Sequence, residues 1–527
     1  MPLEWPEDLL PTIQALVKES GTKIVVLDDD PTGNQTVHDV PVLTEWSPAS
    51  LRTVLAEPGA VVYVLTNSRS VTLPQAQAVN REIATNLRAA SDAAECDFVV
   101  VSRSDSTLRG HYPGEVEALV EGLGQTFDGT LIIPFFLEGG RLTIHDTHYV
   151  IEGDWLTPAA ETEYARDTTF GYQNSDLRAW VSEKHQGKIK PQDIATIPLA
   201  DLRTGGPDAV AATSSRVNSG QVCVVNAATY RDMEVFVTGL LRVEAAGQRF
   251  VYRTAASFVR VRGGIAPRNL LTAADLVTSK SKNGGLIVVG SYVKKSTLQV
   301  EAAQSLPGIT SLEVSVENLL DANSHDDEIR RVAGMADESL SAGRDALVYI
   351  SRRLITGVNQ VSSLQIGQVV STALVTIMES LSEVPAWLIA KGGITSSDIA
   401  TKGLRIKRAE VLGQALPGIP IWRTGQESRW LGLVYVVFPG NVGGPNALAE
   451  MIQTVRGGDN VSASKIDVGQ DAILSYSRFI FVLGGEPRLM ATSQKVEADP
   501  CGRLTGRRKA RPSSQVIEKI RDNHPIP

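Results

Sequence analysis

The amino-acid sequence predicts an α/β fold with two α/β domains, each built on a mostly parallel sheet. Short runs of apolar, β-branched residues recur along the chain, and longer segments with apolar residues near helical spacing separate them. Continuous apolar strands that alternate with helices are typical of parallel sheets covered on both faces. Most of the runs end directly in polar or glycine-rich residues. Because ligands bind beyond the carboxyl ends of parallel strands, these residues are the first candidates for a functional site.

We place the first domain at residues 1–275, where apolar runs predict several strands. These runs are 23–30, 61–67, 97–105, 129–136 and 221–228. Between the second and third runs, apolar residues recur near helical spacing and predict a helix over residues 75–90. Three of the strands end in polar clusters, which read DDDPTGN, TNSRS and SRSDSTLRG. The sequence therefore places polar clusters at the edge of the sheet where ligands bind.

Further apolar runs predict the strands of a second domain, at residues 276–460. They are 284–291, 345–351, 386–393 and 432–441. Residues 358–381 predict the helix between the second and third of these strands. The arginine- and glycine-rich stretch near Arg262–Pro267 and the polar run at 276–285 predict the connection between the two domains.

After about Gly458 the sequence loses this alternation of strands and helices. Residues 501–527 contain seven Lys or Arg and two Asp or Glu, together with Pro and Ser. We interpret residues 461–527 as a basic, poorly ordered tail, and a nucleic-acid-binding arm is the alternative that this composition leaves open. The apolar run at 479–485 is a candidate for one more strand or for packing on the surface.

Composition and charge exclude several classes of protein. A chain of 527 residues with 43% hydrophobic and 21% charged residues is neither largely disordered nor collagen-like. The chain has 51 Lys and Arg and 59 Asp and Glu, so its net charge is negative and it has no overall basic field for nucleic acid. Cys96, Cys223 and Cys501 form no CxxC pair and predict a reducing compartment. With no apolar run of about 18 residues and no signal peptide, we expect a cytoplasmic protein.

The first candidate motif is the acidic turn that follows the first predicted strand. Asp28, Asp29 and Asp30 are adjacent there, and Pro31-Thr32-Gly33-Asn34 turns the chain. Neighbouring carboxylates repel one another unless they contact a cation, hydroxyl groups or backbone N–H groups. We interpret this turn as a site for substrate hydroxyls or Mg²⁺, with one aspartate as a general base. The alternative is an acidic turn that only caps a helix.

The second candidate motif is the loop Ser102–His111. Asp105 can accept hydrogen bonds from sugar hydroxyls, and the guanidinium of Arg109 can bind a carboxylate through two hydrogen bonds. Together with the hydroxyl of Ser106, they are the groups that a polyhydroxy acid requires. The alternative is a capped helix start with a surface ion pair.

The third candidate segment combines an arginine with two histidines. Arg141, in the sequence EGGR, is a candidate for holding an anion. His145 and His148 have the spacing H-x-x-H, but two histidines without a third ligand do not make a closed metal site. We therefore expect hydrogen-bonded histidines and no metal bound to them.

Glycine-rich segments that follow strands of the second domain predict a nucleotide site. They are Gly290-Ser291, the segment 391–397 (KGGITSS) and the segment 439–444 (PGNVGG). Glycine lets backbone N–H groups approach a phosphate, and a helix that begins there adds a favourable partial charge. The sequence lacks the GxxxxGK[ST] motif and the HRD and DFG motifs, so neither a P-loop NTPase nor a protein kinase is expected.

Together, these motifs resemble the four-carbon acid sugar kinase family, which includes 3-oxo-tetronate, threonate and erythronate kinases. The matching residues extend from about Lys23 to about Gly458, and the most specific match is DSTLRG at 105–110. The other matches are Asp29–Gly33, Arg253–Phe258, Val289–Ser291, Gly392–Thr395 and Pro439–Gly443. Ile394 stands where the family often has an acidic residue, and Pro439 stands where it often has a lysine.

The resemblance implies a two-domain kinase with its active site in the cleft between the domains. The N-terminal domain would bind the acid sugar, and the C-terminal domain would bind ATP with its Mg²⁺. Phosphoryl transfer would go to the terminal hydroxyl of a four-carbon acid sugar, with Asp30 as the first choice of general base and Asp105 as the second. The implied substrate-binding residues are Asp29, Thr32, Ser106, Arg109 and Arg141. The implied nucleotide-binding residues are Ser291, Gly392, Gly393, Ile394, Thr395, Gly440, Asn441 and Gly443.

Two other functions remain open at this point. One is an ATP-dependent enzyme that acts on another small hydroxy acid, and the other is a non-catalytic sensor of nucleotides or sugar acids. The expected partners are a small sugar acid and ATP or ADP, with neither nucleic acid nor a membrane. A homodimer is compatible with the sequence.

Overall fold

A computed structural model describes residues 1–276, 281–352, 360–440 and 442–457, with only the backbone for 360–364. The predicted tail at 461–527, the run at 479–485 and Asn441 lie outside the described residues. In the described part of the chain, 15 strands form one continuous sheet, and three more form a small antiparallel sheet. The predicted α/β class is confirmed.

The N-terminal half supplies the first strands of the large sheet and all of the small one. Its strands are β1 (Lys23–Asp28), β2 (Val40–Leu43), β3 (Val61–Leu65), β4 (Phe98–Arg103), β5 (Gly129–Ile133), β6 (Arg141–Ile144), β7 (Thr147–Glu152), β8 (Trp155–Pro158), β9 (Ala195–Ile197), β10 (Gln221–Val225) and β11 (Phe250–Thr254). Its helices are α1 (Leu10–Ser20), α2 (Pro48–Ala56), α3 (Leu73–Ala94), α4 (Gly114–Leu123), α5 (Leu177–Lys184), α6 (Gly206–Ser214), α7 (Tyr230–Ala245) and α8 (Ala256–Arg262).

The C-terminal half repeats the alternation of strands and helices and then adds a hairpin. Its helices are α9 (Ala273–Leu276), α10 (Lys294–Gln304), α11 (Val316–Leu320), α12 (His325–Ser341), α13 (Gln360–Ser380), α14 (Gly393–Asp398) and α15 (Ala447–Val455). Its strands are β12 (Leu286–Val289), β13 (Ile309–Val314), β14 (Asp345–Ile350), β15 (Leu388–Lys391), β16 (Arg408–Leu416), β17 (Ile419–Thr424) and β18 (Val434–Phe438).

One unpredicted feature is that the two parallel sheets are fused into one. The order of the large sheet is β13-β14-β12-β15-β18-β17-β16-β2-β3-β1-β4-β11-β5-β10-β9. The antiparallel hairpin β16–β17 connects the halves, because β16 pairs with β2 and places Arg408 opposite Leu43. Arg408 also binds the carboxylate of Glu57 through two contacts of 2.5 and 2.6 Å. The Trp422 indole donates to Asn34 Oδ1 at 3.0 Å, which ties the hairpin to the turn after β1.

Burial explains why the parallel strands could be predicted. Every residue of β1, β3 and β18 is buried, so these strands have continuous apolar character. The predicted helix over 75–90 is confirmed as α3, whose start is fixed by a capping box between Thr72 and Gln75. In the described part of the chain, no helix is long and apolar enough to cross a membrane.

Candidate active site

The carboxyl ends of strands from both halves surround one cavity of about 1200 Å³. This volume exceeds that of most small-ligand pockets, as expected where two substrates are held side by side. The N-terminal half contributes seven predicted site residues to its wall: Asp29, Asp30, Thr32, Asp105, Ser106, Arg109 and Arg141. The C-terminal half contributes Ser291, Gly393, Ile394, Gly440 and Gly443. Gly392 and Thr395 lie behind this wall rather than in it.

The three adjacent aspartates have different surroundings. Asp28 is buried behind the cavity, where its Oδ1 lies 3.4 Å from Arg103 on the neighbouring strand β4. Burial raises the pKa of Asp28 to about 8, and the nearby carboxylates of Asp29 and Asp30 add to the shift. Gly33 is required next to it, because any Cβ there would overlap the Asp28 carboxylate. Asp28 is therefore a structural carboxyl group, and Asp29 and Asp30 are the ones that reach the cavity.

Asp30 is held as a carboxylate by neighbours on two loops. Its Oδ1 accepts hydrogen bonds from the Thr32 hydroxyl and, at 2.8 Å, from the Thr32 amide. Its Oδ2 lies 2.8 Å from Arg69 Nη2. Burial alone would raise the pKa of Asp30, but Arg69 and the Thr32 hydrogen bonds outweigh it and hold that pKa below its usual value.

Arg69 is a central site residue that the sequence analysis did not identify. It lies on the short 3₁₀ turn Ser68–Ser70 after β3, and its guanidinium contacts three of the candidate carboxylates. The distances are 2.8 Å to Asp30, 3.1 Å to Asp105 and 3.6 Å to Asp29. The available signal was the polar run TNSRS directly after a predicted strand. Because β3 and β4 both flank β1, the polar ends of all three strands meet at this arginine.

The loop that carries DSTLRG forms a partly buried ion pair at the cavity wall instead of the surface pair considered from sequence. Arg109 Nε lies 2.9 Å from Asp105 Oδ2, and Arg109 Nη1 lies 3.6 Å from Asp167. Burial would raise the pKa of Asp105, but Arg109 and Arg69 hold it well below its usual range. The loop needs glycine at Gly110, where φ is 119° and a Cβ would lie 2.7 Å from Ser104 Oγ.

Two arginines of the cavity wall share one aromatic ring. The guanidinium carbons of Arg109 and Arg141 lie 5.1 and 5.7 Å from the centre of the Tyr164 ring. In the described part of the chain, Arg141 Nε is buried and has no hydrogen-bond partner. A buried donor without a partner is unfavourable, so an anionic group of a ligand would complete it.

The two histidines of H-x-x-H have separate environments. His148 is buried, and its ring nitrogens bond to the Thr143 hydroxyl at 3.0 Å and to the Ser106 carbonyl oxygen at 2.8 Å. Burial lowers the pKa of His148 to about 4, so the ring is neutral. Its hydrogen bond to the Ser106 carbonyl oxygen holds the DSTLRG loop in place. His145 is exposed on the turn between β6 and β7.

On the opposite wall, the glycine-rich segments of the C-terminal half converge. Ser291 Oγ is hydrogen-bonded to Ser296 Oγ at 2.9 Å, and Ser296 also donates to the Gly440 carbonyl oxygen at 3.1 Å. Thr395 packs its hydroxyl against the backbone of Gly290, where a Cβ would overlap it. These contacts hold the loops after β12, β15 and β18 together.

The two walls meet at Asp30 and Gly393. A Cβ built on Gly393 would lie 2.7 Å from Asp30 Oδ2, so only glycine allows the carboxylate to approach the start of α14 this closely. The predicted general base therefore lies close to the predicted nucleotide loop, and the two halves approach each other at this point.

Two family models match the chain, one for each half. Residues 24–262 match a sugar-binding N-terminal domain, and residues 286–448 match a nucleotide-binding C-terminal domain. A D-erythronate kinase of Heliobacterium modesticaldum (strain ATCC 51547 / Ice1) is 25% identical over 362 residues, which cover 67% of this chain and 72% of that protein.

Solved structures share the fold. Haemophilus influenzae protein HI1011, of the family DUF1537, has a TM-score of 0.55 at 18% identity and covers 82% of this chain and 99% of its own. A Salmonella typhimurium LT2 protein with a provisional tRNA synthase assignment has a TM-score of 0.59 at 17% identity and covers 81% and 98%. At these identities the likeness extends to the fold alone.

Proposed function

Since the chain belongs to the four-carbon acid sugar kinase family, we propose that it transfers the γ-phosphate of ATP to the terminal hydroxyl of a four-carbon acid sugar. The observation that carries this proposal is the close approach of the Asp30 carboxylate to Gly393, where a Cβ would lie only 2.7 Å from Asp30 Oδ2. A group that accepts a hydroxyl proton must lie beside the phosphate that the hydroxyl attacks. The Asp30 carboxylate meets this requirement if the γ-phosphate lies at the loop of Gly393.

The N-terminal wall supplies the groups that the acid sugar needs. Arg109 and Arg141 form a cationic pair around Tyr164. The Nε of Arg141, which has no hydrogen-bond partner in the described part of the chain, is suited to the carboxylate of the acid. The hydroxyl of Ser106 and the carboxylate of Asp105 lie on the same loop and suit the sugar hydroxyls. The acid would therefore lie with its carboxylate toward Tyr164 and its terminal hydroxyl toward Asp30.

Positioning accounts for most of the expected rate acceleration. Phosphoryl transfer leaves little covalent chemistry to the protein, so the main task of the Asp30 carboxylate is to orient the attacking hydroxyl and accept its proton. Arg69 orients Asp30 by binding Oδ2, while Thr32 binds Oδ1. Closure of the two halves over both substrates would exclude water from the γ-phosphate.

The residues present also fit a Mg²⁺ ion that accompanies the nucleotide. Asp29 lines the cavity, and its Oδ1 lies 3.6 Å from Arg69 and 4.0 Å from Arg103. In the described residues this buried oxygen has these two ion-pair neighbours but accepts no hydrogen bond. Mg²⁺ is usually held by one or two carboxylates together with substrate phosphates, so Asp29 is the residue that would hold it. When bound, the ion would neutralise charge on the β- and γ-phosphates.

The test is an assay of ADP release with Mg-ATP and a panel of four- and five-carbon aldonates and their 3-oxo forms. We expect turnover on one four-carbon acid and a loss of about 10²–10⁴-fold in kcat for Asp30→Asn. Calorimetry should give the same affinity for ATP in both proteins. Turnover only on an acid of another size would assign a different hydroxy-acid substrate.

Two other outcomes would contradict the proposal. ATP binding without turnover on any acid would favour the non-catalytic sensor. If neither ATP binding nor turnover occurs, the assignment of the C-terminal loops as a nucleotide site is wrong.

A further inference from the structure

Lys391 is a fully buried lysine at the carboxyl end of a central strand of the C-terminal half. It is the last residue of β15 and pairs with Val289 on one side and Phe438 on the other. Its Nζ donates to the carbonyl oxygens of Pro439 and Gly440, at 2.9 and 3.3 Å. Pro439 and Gly440 line the cavity, so the ammonium group lies directly behind the cavity wall.

In the described part of the chain, no carboxylate forms an ion pair with Lys391. Lys295 of α10, which lines the cavity, has the same positive charge and lowers the pKa of Lys391. The strand β12 has no ionisable side chain, and β18 has Tyr435, whose hydroxyl donates to the Ser396 carbonyl oxygen. The carboxylate of Asp398, on α14, contacts Ser371 and Lys402 instead.

A buried ammonium group without a counter-charge is unfavourable. Here the two carbonyl dipoles and the face of the Phe438 ring, 4.2 Å away, stabilise it in part. Lys295 has the same charge as Lys391 and therefore does not offset it. The missing negative charge is therefore expected on the other side of the thin wall that Pro439 and Gly440 form.

Building on the proposed function, we propose that Lys391 is a positioning residue for the polyphosphate of the nucleotide. Its ammonium group fixes the two carbonyls of Pro439 and Gly440 so that the loop keeps its shape, and its charge is balanced when a phosphate binds against that loop. Lys391 does not reach the cavity itself, so it acts through the loop and through its electric field.

The protonation state of Lys391 follows from the same geometry. Burial and Lys295 lower the pKa of Lys391 to about 7 when the cavity holds no anion. A bound phosphate favours the charged form and raises that pKa. Above pH 7 the free protein must then take up a proton to bind the nucleotide, so its affinity should fall as the pH rises.

The first test compares Lys391→Met with Lys402→Met, a matched control in the same half. The Lys402 side chain is 64% exposed and forms a surface ion pair with Asp398 at 2.7 Å. Calorimetry at pH 7 with Mg-ATP should give an affinity at least about 10-fold weaker for Lys391→Met and unchanged for Lys402→Met. Adenosine, which has no phosphate, should bind all three proteins equally.

The second test uses the unmodified protein. It does not depend on the folding of Lys391→Met, which replaces a fully buried side chain. Titrations of Mg-ATP in buffers of different ionisation enthalpy give the protons taken up on binding. We expect uptake to increase from pH 6 to pH 8, and to exceed the uptake of Lys391→Met where that variant folds.

Separate results overturn the inference and the proposed function. If the unmodified protein binds Mg-ATP with no pH-dependent proton uptake, or if folded Lys391→Met binds Mg-ATP as tightly as the unmodified protein, the role of Lys391 is wrong. If the unmodified protein binds no Mg-ATP, the proposed function fails first.

Discussion

Asp30 Oδ2 lies 2.7 Å from the point where a Cβ on Gly393 would be, although the two residues belong to different halves of the chain. Asp30 follows β1 in the N-terminal half, and Gly393 begins α14 in the C-terminal half. The glycine thus has a role besides the phosphate contact expected from sequence: it leaves room for a carboxylate. The two predicted half-sites become one site at this contact.

Gly393→Ala is expected to separate Asp30 from the loop that follows β15. The added methyl group must displace the carboxylate, and a shift of about 1 Å at a reacting group can lower the rate about 100-fold. We expect kcat to fall by about that factor in the ADP-release assay, while the affinity for the acid sugar changes little.

The control for this substitution is Gly334→Ala. Gly334 lies within α12, and no atom of the described residues lies within 4 Å of a Cβ built there. Alanine should increase the stability by about 0.5–1 kcal/mol and leave the activity unchanged. An unchanged kcat in Gly393→Ala would show that the reaction does not need the close approach of Asp30.

Arg69→Met should shift the acidic limb of the pH–rate profile to higher pH. Arg69 opposes the effect of burial on Asp30, so without it burial dominates and the pKa of Asp30 rises. Asp30 would then be fully ionised only at a higher pH. We expect kcat to fall at neutral pH and to recover in part as the pH increases.

In the unmodified protein, kcat should not fall until the pH is below the usual pKa range of aspartate. Arg330→Met is the control, because that side chain is 73% exposed and pairs with Asp327 on the surface. If Arg69→Met lowers kcat equally at every pH, Arg69 acts by geometry alone and the assignment of Asp30 as proton acceptor loses its support.

The sequence predicted the parallel strands well because their burial is complete. β1 and β18 have no solvent-facing residues, so their apolar runs stand out without any knowledge of the fold. The hairpin β16–β17 was missed because buried and exposed residues are mixed along β16 and because Pro420 interrupts β17. The fusion of the two sheets through β2, which has four residues, could not be predicted from such short and mixed segments.

The candidate site was predicted only where residues are clustered in sequence. Asp30 and Asp105 lie in dense polar motifs that the sequence analysis singled out, and both line the cavity. Arg69 and Tyr164 lie in ordinary polar segments, and their importance depends on which strands are neighbours and how the loop after β8 folds back. Lys391 was read as part of a glycine-rich loop, whereas its burial depends on the carbonyls of a different loop.

Arg141→Ala should weaken binding of the acid sugar more than binding of ATP. Among the described residues, the buried Nε of Arg141 has no hydrogen-bond partner. A charge-assisted hydrogen bond to a carboxylate contributes about 1.5–3 kcal/mol. We expect KM for the acid to rise about 10–100-fold with KM for ATP unchanged. Arg141→Lys should recover little, because an ammonium group cannot replace the planar fork of a guanidinium.

Arg109→Ala serves as a comparison with a different expected result. Arg109 is already bound to Asp105, so its loss should raise the pKa of Asp105 and lower kcat as well as affinity for the acid. If Arg141→Ala instead changes KM for ATP and not for the acid, the carboxylate of the substrate does not bind at Tyr164.

His148→Leu should raise KM for the acid sugar by loosening the DSTLRG loop. The substitution removes the contact of 2.8 Å to the Ser106 carbonyl oxygen, and a buried acceptor left without a partner costs about 1–3 kcal/mol. Part of that cost should appear as weaker binding of the acid, with the affinity for ATP unchanged. His148→Gln, which keeps a side-chain donor, should restore part of the affinity.

The same histidine makes an acid-labile contribution to stability. Its pKa is lowered from 6.5 to about 4 in the folded protein, so between these values the unfolded chain binds a proton that the native state excludes. The free energy of unfolding should therefore fall as the pH decreases from about 6.5 to 4, by up to about 1.4 kcal/mol per pH unit from this group. Urea denaturation of His148→Gln should show a shallower dependence than the unmodified protein over this range. Equal slopes would mean that His148 is protonated in the native state, and its ring could then no longer accept the hydrogen bond from the Thr143 hydroxyl.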